Sequence, residues 1–458
     1  MEVTQIDKND SDTREILHSG CSQSELFGGN RSPSVRSLSI RDIADTPEPY
    51  GLLSVSAVLH YCKCKILRPY LRLLGFMGLR PLPIDTSDVS SCLEIFGLVY
   101  TLQVILLVIA GYVLQYMACF RRDRGFCYQQ KPILYKTLVQ ESIYQQICHG
   151  SFVFSFLLPS GLHLFAYIYA VYLFRISNNE NLSNLMERVF LSSSNPSDGS
   201  VSQKKLVRIL WFFIVMSMLW IILSFVLVIF MATESDVSFK WVDNNSSFVI
   251  LSLKILLVIC TLWHDMIQAT IITSYCLQAQ LLTSYLYFLR AKLVLHPVRP
   301  IDWMKELLEF KNLLKYLNKD FAPAVCMFTI INVSWGASGI IWLLDYDNLD
   351  RSTLPIVGIS VLNVILWLFI ALAPFIQAAR LTNACRMIQG VGHEVRTRPF
   401  THQDTPTGEL DSVLLYTSSL RISANLFCVP ITGKYLCLGV TVSAMLVLIL
   451  GQCHFLQP

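Results

Sequence analysis

The sequence predicts an all-α membrane protein, a bundle of seven transmembrane helices with the N-terminus in the cytosol and the C-terminus outside. Of the 458 residues, 53% are apolar and only 15% are charged, and the mean hydropathy is +0.50. Soluble domains carry about 25% charged residues, so lipid is the expected solvent. The apolar residues also form seven runs of about 20 residues, the length a helix needs to cross about 30 Å of hydrocarbon. The distribution of Lys and Arg is the third observation.

The seven runs define the predicted spans. They are Cys92–Phe120, Ile143–Phe174, Leu206–Met231, Phe248–Cys276, Phe321–Leu344, Leu354–Ala378 and Tyr435–His454. Pro159 and Gly161 could divide the second run, but neither half alone would cross the bilayer. We therefore predict one kinked helix there.

The basic residues orient the bundle. With the N-terminus inside, 28 of the 36 Lys and Arg residues fall on the cytosolic side, 7 fall outside and Lys254 lies within a span. Cytosolic loops are the basic ones in membrane proteins, and only "RRDRGF" after the first span departs from this pattern. Asn244 and Asn245 each begin an N-x-S glycosylation signal in a loop predicted to lie outside. This orientation is opposite to that of a G-protein-coupled receptor.

The remaining segments divide by composition. Residues 1–50 are polar and rich in Ser, so we predict a disordered cytosolic tail. Residues 51–91 are basic and amphipathic, and we expect them at the inner membrane surface. Residues 92–378 carry helices 1–6, including cytosolic helical extensions at 277–320. Residues 379–434 form a cytosolic linker and a helix before the pore, and 435–458 form a pore-lining last helix.

The extensions are predicted because the helical pattern of the fourth span continues to Leu295. A helix over 248–295 would be on the order of 70 Å long. Another apolar face follows at helical spacing. It comprises Trp303, Leu307, Leu308, Leu314 and Leu317. We expect a second subunit to cover this face, with packing inside the same subunit as the alternative.

The 14 cysteines are scattered, mostly in apolar runs or cytosolic segments. We therefore predict buried, reduced cysteines and no disulfide framework. Cys62 and Cys64 lack the further ligands of a zinc site, and no metal or cofactor is predicted. Because the sequence has no His-x-x-Glu-His, nucleophile elbow or Gly-rich phosphate loop, an enzyme is not expected.

Polar residues inside the predicted spans are the candidate ligand contacts. They are Lys254, Thr261, His264, Asp265 and Gln268 on the fourth span, His149 and His163 on the second, and Trp220 on the third. Ionisable groups in membranes face a cavity or one another. Two interpretations stay open: an outward-open pocket for a small polar organic ligand, or hydrogen bonds that hold the helices together.

Three stretches of the sequence point to a known family. They are "LRPYLRLLGFMGLRPLP" before the first span, the long extension of the fourth span, and "LRISANLFCVPITGKYL" before the last helix. With them the chain resembles the insect gustatory and odorant receptor superfamily, most closely a divergent gustatory-receptor-like protein. The family signature in that helix is Thr-Tyr, five apolar residues and Gln-Phe. Aligned on Gln452, this chain has Met445-Leu446, "VLILG" and Gln452-Cys453, so the glutamine and the apolar spacer match.

The resemblance implies a ligand-gated, non-selective cation channel in the plasma membrane, formed as a homotetramer around the last helix. The implied pore and gate residues are Met445, Ile449, Gln452 and Cys453. A ring of Gln452 amides could contact monovalent and divalent cations, and an Ile449 ring could block them by dewetting. Alternatively, Gln452 marks where the helix reaches the outer headgroups.

The implied partners are other copies of the chain, a small-molecule ligand, cations and membrane lipid, with no nucleic acid. Two other functions remain open: a seven-helix receptor that signals without its own pore, and a polytopic membrane protein with a developmental role.

Overall fold

A computed structural model shows how the chain folds. The residues it describes are 63–80, 91–123, 125–126, 128–132, 144–148, 151–176, 185, 188–189, 199–234, 239, 247–295, 299–344, 354–397, 406–427, 429–439, 441–443 and 445. The predicted disordered tail at 1–50 lies outside these residues. Within them the chain is almost entirely helical, which confirms the all-α class.

The helices and strands follow one another along the chain. The helices are α1 (Arg68–Phe76), α2 (Ser91–Met117), α3 (Leu158–Ile176), α4 (Gly199–Glu234), α5 (Ser247–Leu295), α6 (Pro300–Tyr316), α7 (Ala322–Leu344), α8 (Leu354–Thr397) and α9 (Thr407–Ser419). Short π-helical turns precede α1, α3 and α7, at Lys63–Leu67, Val153–Leu157 and Leu317–Phe321. The strands are β1 (Phe120–Arg121), β2 (Gly125–Phe126), β3 (Tyr128–Pro132), β4 (Tyr144–Cys148), β5 (Asn425–Leu426) and β6 (Val429–Pro430), which pair as antiparallel β1–β2, β3–β4 and β5–β6.

Six helical segments of the described chain are long and apolar enough to cross a membrane. They are Ile95–Met117, Val153–Arg175, Lys205–Thr233, Phe248–Leu295, Pro300–Leu344 and Val357–Thr397. Each corresponds to one of the first six predicted spans. The predicted seventh span is helical at 433–439, 441–443 and 445, and the rest of it lies outside the described residues.

The second span begins later than predicted. Residues Tyr144–Cys148 form β4 and pair with β3, from Tyr128 opposite Cys148 to Pro132 opposite Tyr144. The prediction was wrong here because an apolar run does not by itself distinguish a short strand from a helix. Pro159 does not break the helix: the π-helical turn Val153–Leu157 runs directly into α3, and Pro159 lies just after the point where the two meet.

The long helices continue beyond the bilayer length. Helix α5 is continuous for 49 residues, as predicted from its pattern. Helix α8 runs to Thr397, so residues 379–397 continue the sixth span as helix rather than as a linker.

The apolar face of α6 is covered within the same chain. Trp303, Leu307 and Phe310 are fully buried, and Trp303 Nε1 donates to Leu289 O on α5 at 3.0 Å. The expectation of a second subunit over this face was wrong, with Leu308 the exception that stays exposed.

The described part of the basic segment, around α1, packs against the helix bundle, while its location at the inner membrane surface stays a prediction. The Tyr70 hydroxyl donates to Thr270 O on α5 at 3.0 Å, and burial raises the pKa of Tyr70, so the hydroxyl stays protonated. Tyr167 on α3 donates to Met77 O at 2.8 Å. Gly78 adopts φ +72°, and a Cβ there would lie 2.9 Å from the Tyr167 hydroxyl, so the turn requires glycine. Apolar side chains alternating with arginines predicted a surface helix, but the apolar face is buried among protein helices.

The structure contains a disulfide between Cys119 and Cys148, so the prediction that the cysteines are all reduced was wrong. Both residues were assigned to the ends of predicted spans. Because α2 ends at Met117 and the second span starts only at Val153, both lie in the segments between helices. The disulfide joins the loop after α2 to β4.

Candidate functional site

The polar residues predicted on the fourth span lie along α5 and mostly face inward. Thr261, His264, Asp265 and Gln268 are each 5% exposed or less. Thr261 donates to Leu257 O in its own helix at 2.7 Å. Lys254, two turns nearer the start of α5, is half-buried. Four of the five polar residues are therefore buried on α5, whereas Lys254 is partly exposed.

His163 and His264 are neutral, and both nitrogens of each ring form hydrogen bonds. His264 Nε2 lies 3.0 Å from the carbonyl oxygen of Val108, which can only accept, so Nε2 carries the proton and Nδ1 accepts from Gln115 at 3.3 Å. His163 Nε2 likewise faces His264 O at 3.3 Å, and its Nδ1 accepts from the Tyr112 hydroxyl at 2.6 Å. These hydrogen bonds connect α2, α3 and α5.

Asp265 forms a buried ion pair that sequence reasoning missed. Its partner is Arg122, in the turn between β1 and β2, and the two side chains are 3% and 5% exposed. Ser224 on α4 donates to the second carboxylate oxygen at 2.7 Å. The one available signal was "RRDRGF", the basic segment that contradicts the charge rule. An arginine there and an aspartate within a span are each costly unless paired.

The β1–β2 hairpin contacts four spanning helices. Through Arg122 it contacts α4 and α5, as described above, and also α8, where Asn363 donates to Arg122 O at 2.9 Å. It contacts α7 through Ser338, which donates to Asp123 Oδ2 at 2.6 Å. Asp123 also accepts from Arg121 at 2.7 Å. The hairpin is thus inserted between the helices, and its described charges, Arg121, Arg122 and Asp123, are paired.

These groups surround a small polar cavity. Its lining includes Tyr112, Gln115, Arg121, Arg122, His163, His264, Asp265, Gln268 and Trp335. The cavity volume is about 20 Å³, and a buried water needs about 10–15 Å³ by this measure. The cavity has room for one or two waters in this conformation. Gln268 also donates to Asn332 Oδ1 on α7 at 2.7 Å, so much of the polar stripe holds helices together.

Trp220 lies in a separate, apolar cleft between α4, α5 and α8. The other lining residues are Phe212, Phe213, Met216, Ser217, Ala269, Ile272, Thr273, Cys276, Phe369, Ile370 and Ala373. The cleft volume is about 90 Å³, more than four times that of the polar cavity. Phe212 and Phe369 are exposed on the apolar surface of the bundle, so the cleft opens there. Lys254 and Thr261 line neither cavity.

The C-terminal helix stands apart from the rest of the chain. Among its described residues, Tyr435, Leu438, Val442 and Met445 are between 55% and 61% exposed. Of the pore and gate predictions, Met445 is described, whereas Ile449, Gln452 and Cys453 lie outside the described residues. The same holds for His149 and for the predicted glycosylation sites Asn244 and Asn245. In the described part of the chain, no group of three or more His, Cys, Asp or Glu side chains could hold a metal ion.

The six long apolar helices and their packing define a multi-pass helical membrane protein, with the fold seen in the solved structures of an insect olfactory receptor. The chain is similar to the solved structure of the insect olfactory receptor OR5 from Machilis hrabei in complex with eugenol, with 10% identity, a TM-score of 0.57, and coverage of 86% of this chain and 99% of that chain. A second structure of OR5 from Machilis hrabei matches with 10% identity, a TM-score of 0.58, and coverage of 86% and 98%. No family model matches the sequence, and neither does any curated protein.

Proposed function

We propose that this protein is a gustatory-receptor-like chemoreceptor that acts as a ligand-gated, non-selective cation channel in the plasma membrane. The observation that carries the proposal is the fold, which aligns with 99% of the OR5 chain. The structure solved with eugenol shows that this fold can bind a small organic molecule. The N-terminus is cytosolic and the C-terminus extracellular in this proposal, in agreement with the distribution of Lys and Arg.

The ligand site is the apolar cleft beside Trp220. It is the roomier of the two cavities, and its lining is aromatic and aliphatic with only Ser217 and Thr273 as polar members. Small-molecule sites are concave, mostly apolar and carry a few polar groups. The ligand class that fits is a small, largely apolar organic molecule. The histidines and Asp265 line the neighbouring polar cavity, where they connect the helices around the site.

The pore is formed by the C-terminal helices of four subunits. Every described residue from 433 onward in this helix is exposed except the half-buried Leu436, so the helix has no extensive partner within its own chain. Tyr435, Leu438, Val442 and Met445 follow the alternating spacing of three and four residues that characterises a helix–helix seam. Ile449 and Gln452 continue the same spacing. This spacing supports the proposal that the apolar gate and the amide ring lie on the shared axis, where cations pass.

Substitution of Ile449 tests the channel. Ile449→Ser replaces the apolar ring by hydroxyls, which removes the barrier caused by dewetting. We expect a current without any stimulus, about tenfold above that of the wild type, in whole-cell recordings after surface expression is verified. Val447→Ser, on the opposite side of the seam, is the matched control and should leave the basal current unchanged. A silent Ile449→Ser protein at normal surface abundance would refute the gate assignment.

A further inference from the structure

We propose that Arg122 is a positioning residue for the apolar cleft: it fixes the ring of Trp367 and thereby sets the position of Trp220. Arg122 lies in the β1–β2 hairpin, outside the cleft, and touches none of its lining residues through a described contact. The inference rests on the proposed role of the cleft as ligand site. It adds that the shape of this site depends on an ion pair formed elsewhere in the bundle.

The first step is the anchoring of Arg122. Its Nη2 donates to Asp265, and its carbonyl oxygen accepts from Asn363 at 2.9 Å. Asp265 is held in turn by Ser224 at 2.7 Å. Arg122 is therefore held at both ends: its guanidinium by Asp265 on α5 and Ser224 on α4, and its backbone carbonyl by Asn363 on α8. In a low-dielectric surrounding such a pair cannot open without leaving a charge unpaired.

The second step is the contact with Trp367. The guanidinium carbon of Arg122 lies 5.1 Å from the centre of the Trp367 ring, within the range of a cation–π interaction. Trp367 is 2% exposed, and its Nε1 makes no hydrogen bond within the described residues. No polar tether therefore holds this indole. Its position depends on the cation and on ring packing, which includes Trp335 at 4.6 Å.

The third step leads from Trp367 to the cleft. Trp220 packs against Trp367 edge to face, with ring centres 5.7 Å apart. Trp220 Nε1 donates to Leu366 O at 3.0 Å, so both of these contacts are with neighbouring residues of α8. A displaced Trp367 would remove the ring contact with Trp220 and disturb the hydrogen bond from Trp220 to Leu366 O. Because Trp220 lines the apolar cleft, a shift of its ring would change the shape of the cleft.

A double substitution tests this without depending on ligand or current. Arg122→Met with Asp265→Leu removes the ion pair and leaves no unpaired buried charge, and such apolar replacements are often neutral for stability. The matched control is Arg121→Met with Asp123→Leu, which removes the adjacent ion pair of the same hairpin. The readout is the rate at which N-ethylmaleimide modifies Cys276, a buried thiol of the cleft, followed by peptide mass spectrometry on purified protein.

We expect Cys276 to react roughly five to thirty times faster in the Arg122/Asp265 variant and at the wild-type rate in the control. Trp367→Phe keeps the ion pair but shrinks the ring, and should also accelerate the reaction. It serves as the second variant if the first does not fold. Equal rates in wild type, control and the folded test variants would overturn the inference.

Recordings from cells then separate a positioning role from a general structural one. Eugenol, 1-hexanol and 1-octanol are applied as probes of different shape. Unequal shifts in their half-maximal concentrations in the Arg122/Asp265 variant support positioning, whereas equal shifts for all three contradict it. If wild type and Ile449→Ser both carry no current, the proposed channel function fails and the Cys276 rate alone decides the inference about Arg122.

Discussion

Single residues show how this chain places polar groups inside a membrane bundle. Arg121 and Arg122 contradict the expectation that outer loops are poor in basic residues, but each guanidinium is paired with a carboxylate, Asp123 or Asp265. His163 and His264 are neutral, and both nitrogens of each ring are used. These residues therefore satisfy one another, which is the alternative that the sequence left open for the polar stripe.

Glycine 111 offers a test of the close contact between α2 and α5. A Cβ at this position would lie 2.7 Å from His264 Cε1 and 3.0 Å from Cys260 Cβ. The imidazole cannot easily move, because Val108 and Gln115 hold both of its nitrogens. We expect Gly111→Ala to lower the free energy of unfolding by about 1–3 kcal/mol.

The measurement is the unfolding temperature of purified protein, followed by size-exclusion chromatography after heating. Gly97→Ala is the control in the same helix, since nothing lies within 4 Å of a Cβ there, and it should match or exceed the wild type. An unfolding temperature unchanged in Gly111→Ala would show that α2 and α5 are not in this contact.

At the scale of whole elements, two helices extend beyond the length of a span, and the described part of the connection between α2 and α3 is folded. Helices α5 and α8 continue past the bilayer length and pack against α6 and α9, so the apolar face of α6 needs no second subunit. The segment between α2 and α3 contains two hairpins, tied to each other by the disulfide between Cys119 and Cys148. An inserted hairpin with four helical neighbours needs such restraint, since a two-stranded hairpin alone is marginally stable.

The disulfide should contribute measurably to stability. It closes a separation of 29 residues, for which loop-closure entropy predicts about 2–4 kcal/mol. We expect a reductant to lower the unfolding temperature of the wild type and to have little effect on Cys119→Ser, which should already unfold at the lower temperature. Cys437→Ser, at an exposed free thiol, is the control and should respond to reductant like the wild type. Complete alkylation of Cys119 and Cys148 in native, unreduced protein would contradict the assignment.

At the scale of the whole molecule, the described part of the last helix is uncovered. From Tyr435 to Met445 its described residues are exposed except the half-buried Leu436, and the proposed fourfold assembly would cover them. The distribution of Lys and Arg predicts the orientation, and the resemblance implies four subunits.

Mass measurement and terminal tags test the assembly. In lipid nanodiscs we expect a particle containing four chains of 52.0 kDa. In intact cells an antibody should reach a C-terminal tag, but an N-terminal tag only after permeabilisation, because an odd number of spans separates them. An opposite pattern of access would refute the orientation, and a monomeric particle would refute the shared pore.

The sequence by itself determined the class of this protein, the positions of six spans and the continuity of α5. These follow from hydropathy, run length and helical period, which are local properties of neighbouring residues. It also marked Asp265 as a residue in need of a partner. It could not name Arg122, because the two are 143 positions apart and no local pattern connects them. Only the tertiary structure decided which charges pair, that Cys119 bonds Cys148, and that Trp220 lies in a cleft apart from the histidines, because such contacts depend on how distant helices pack.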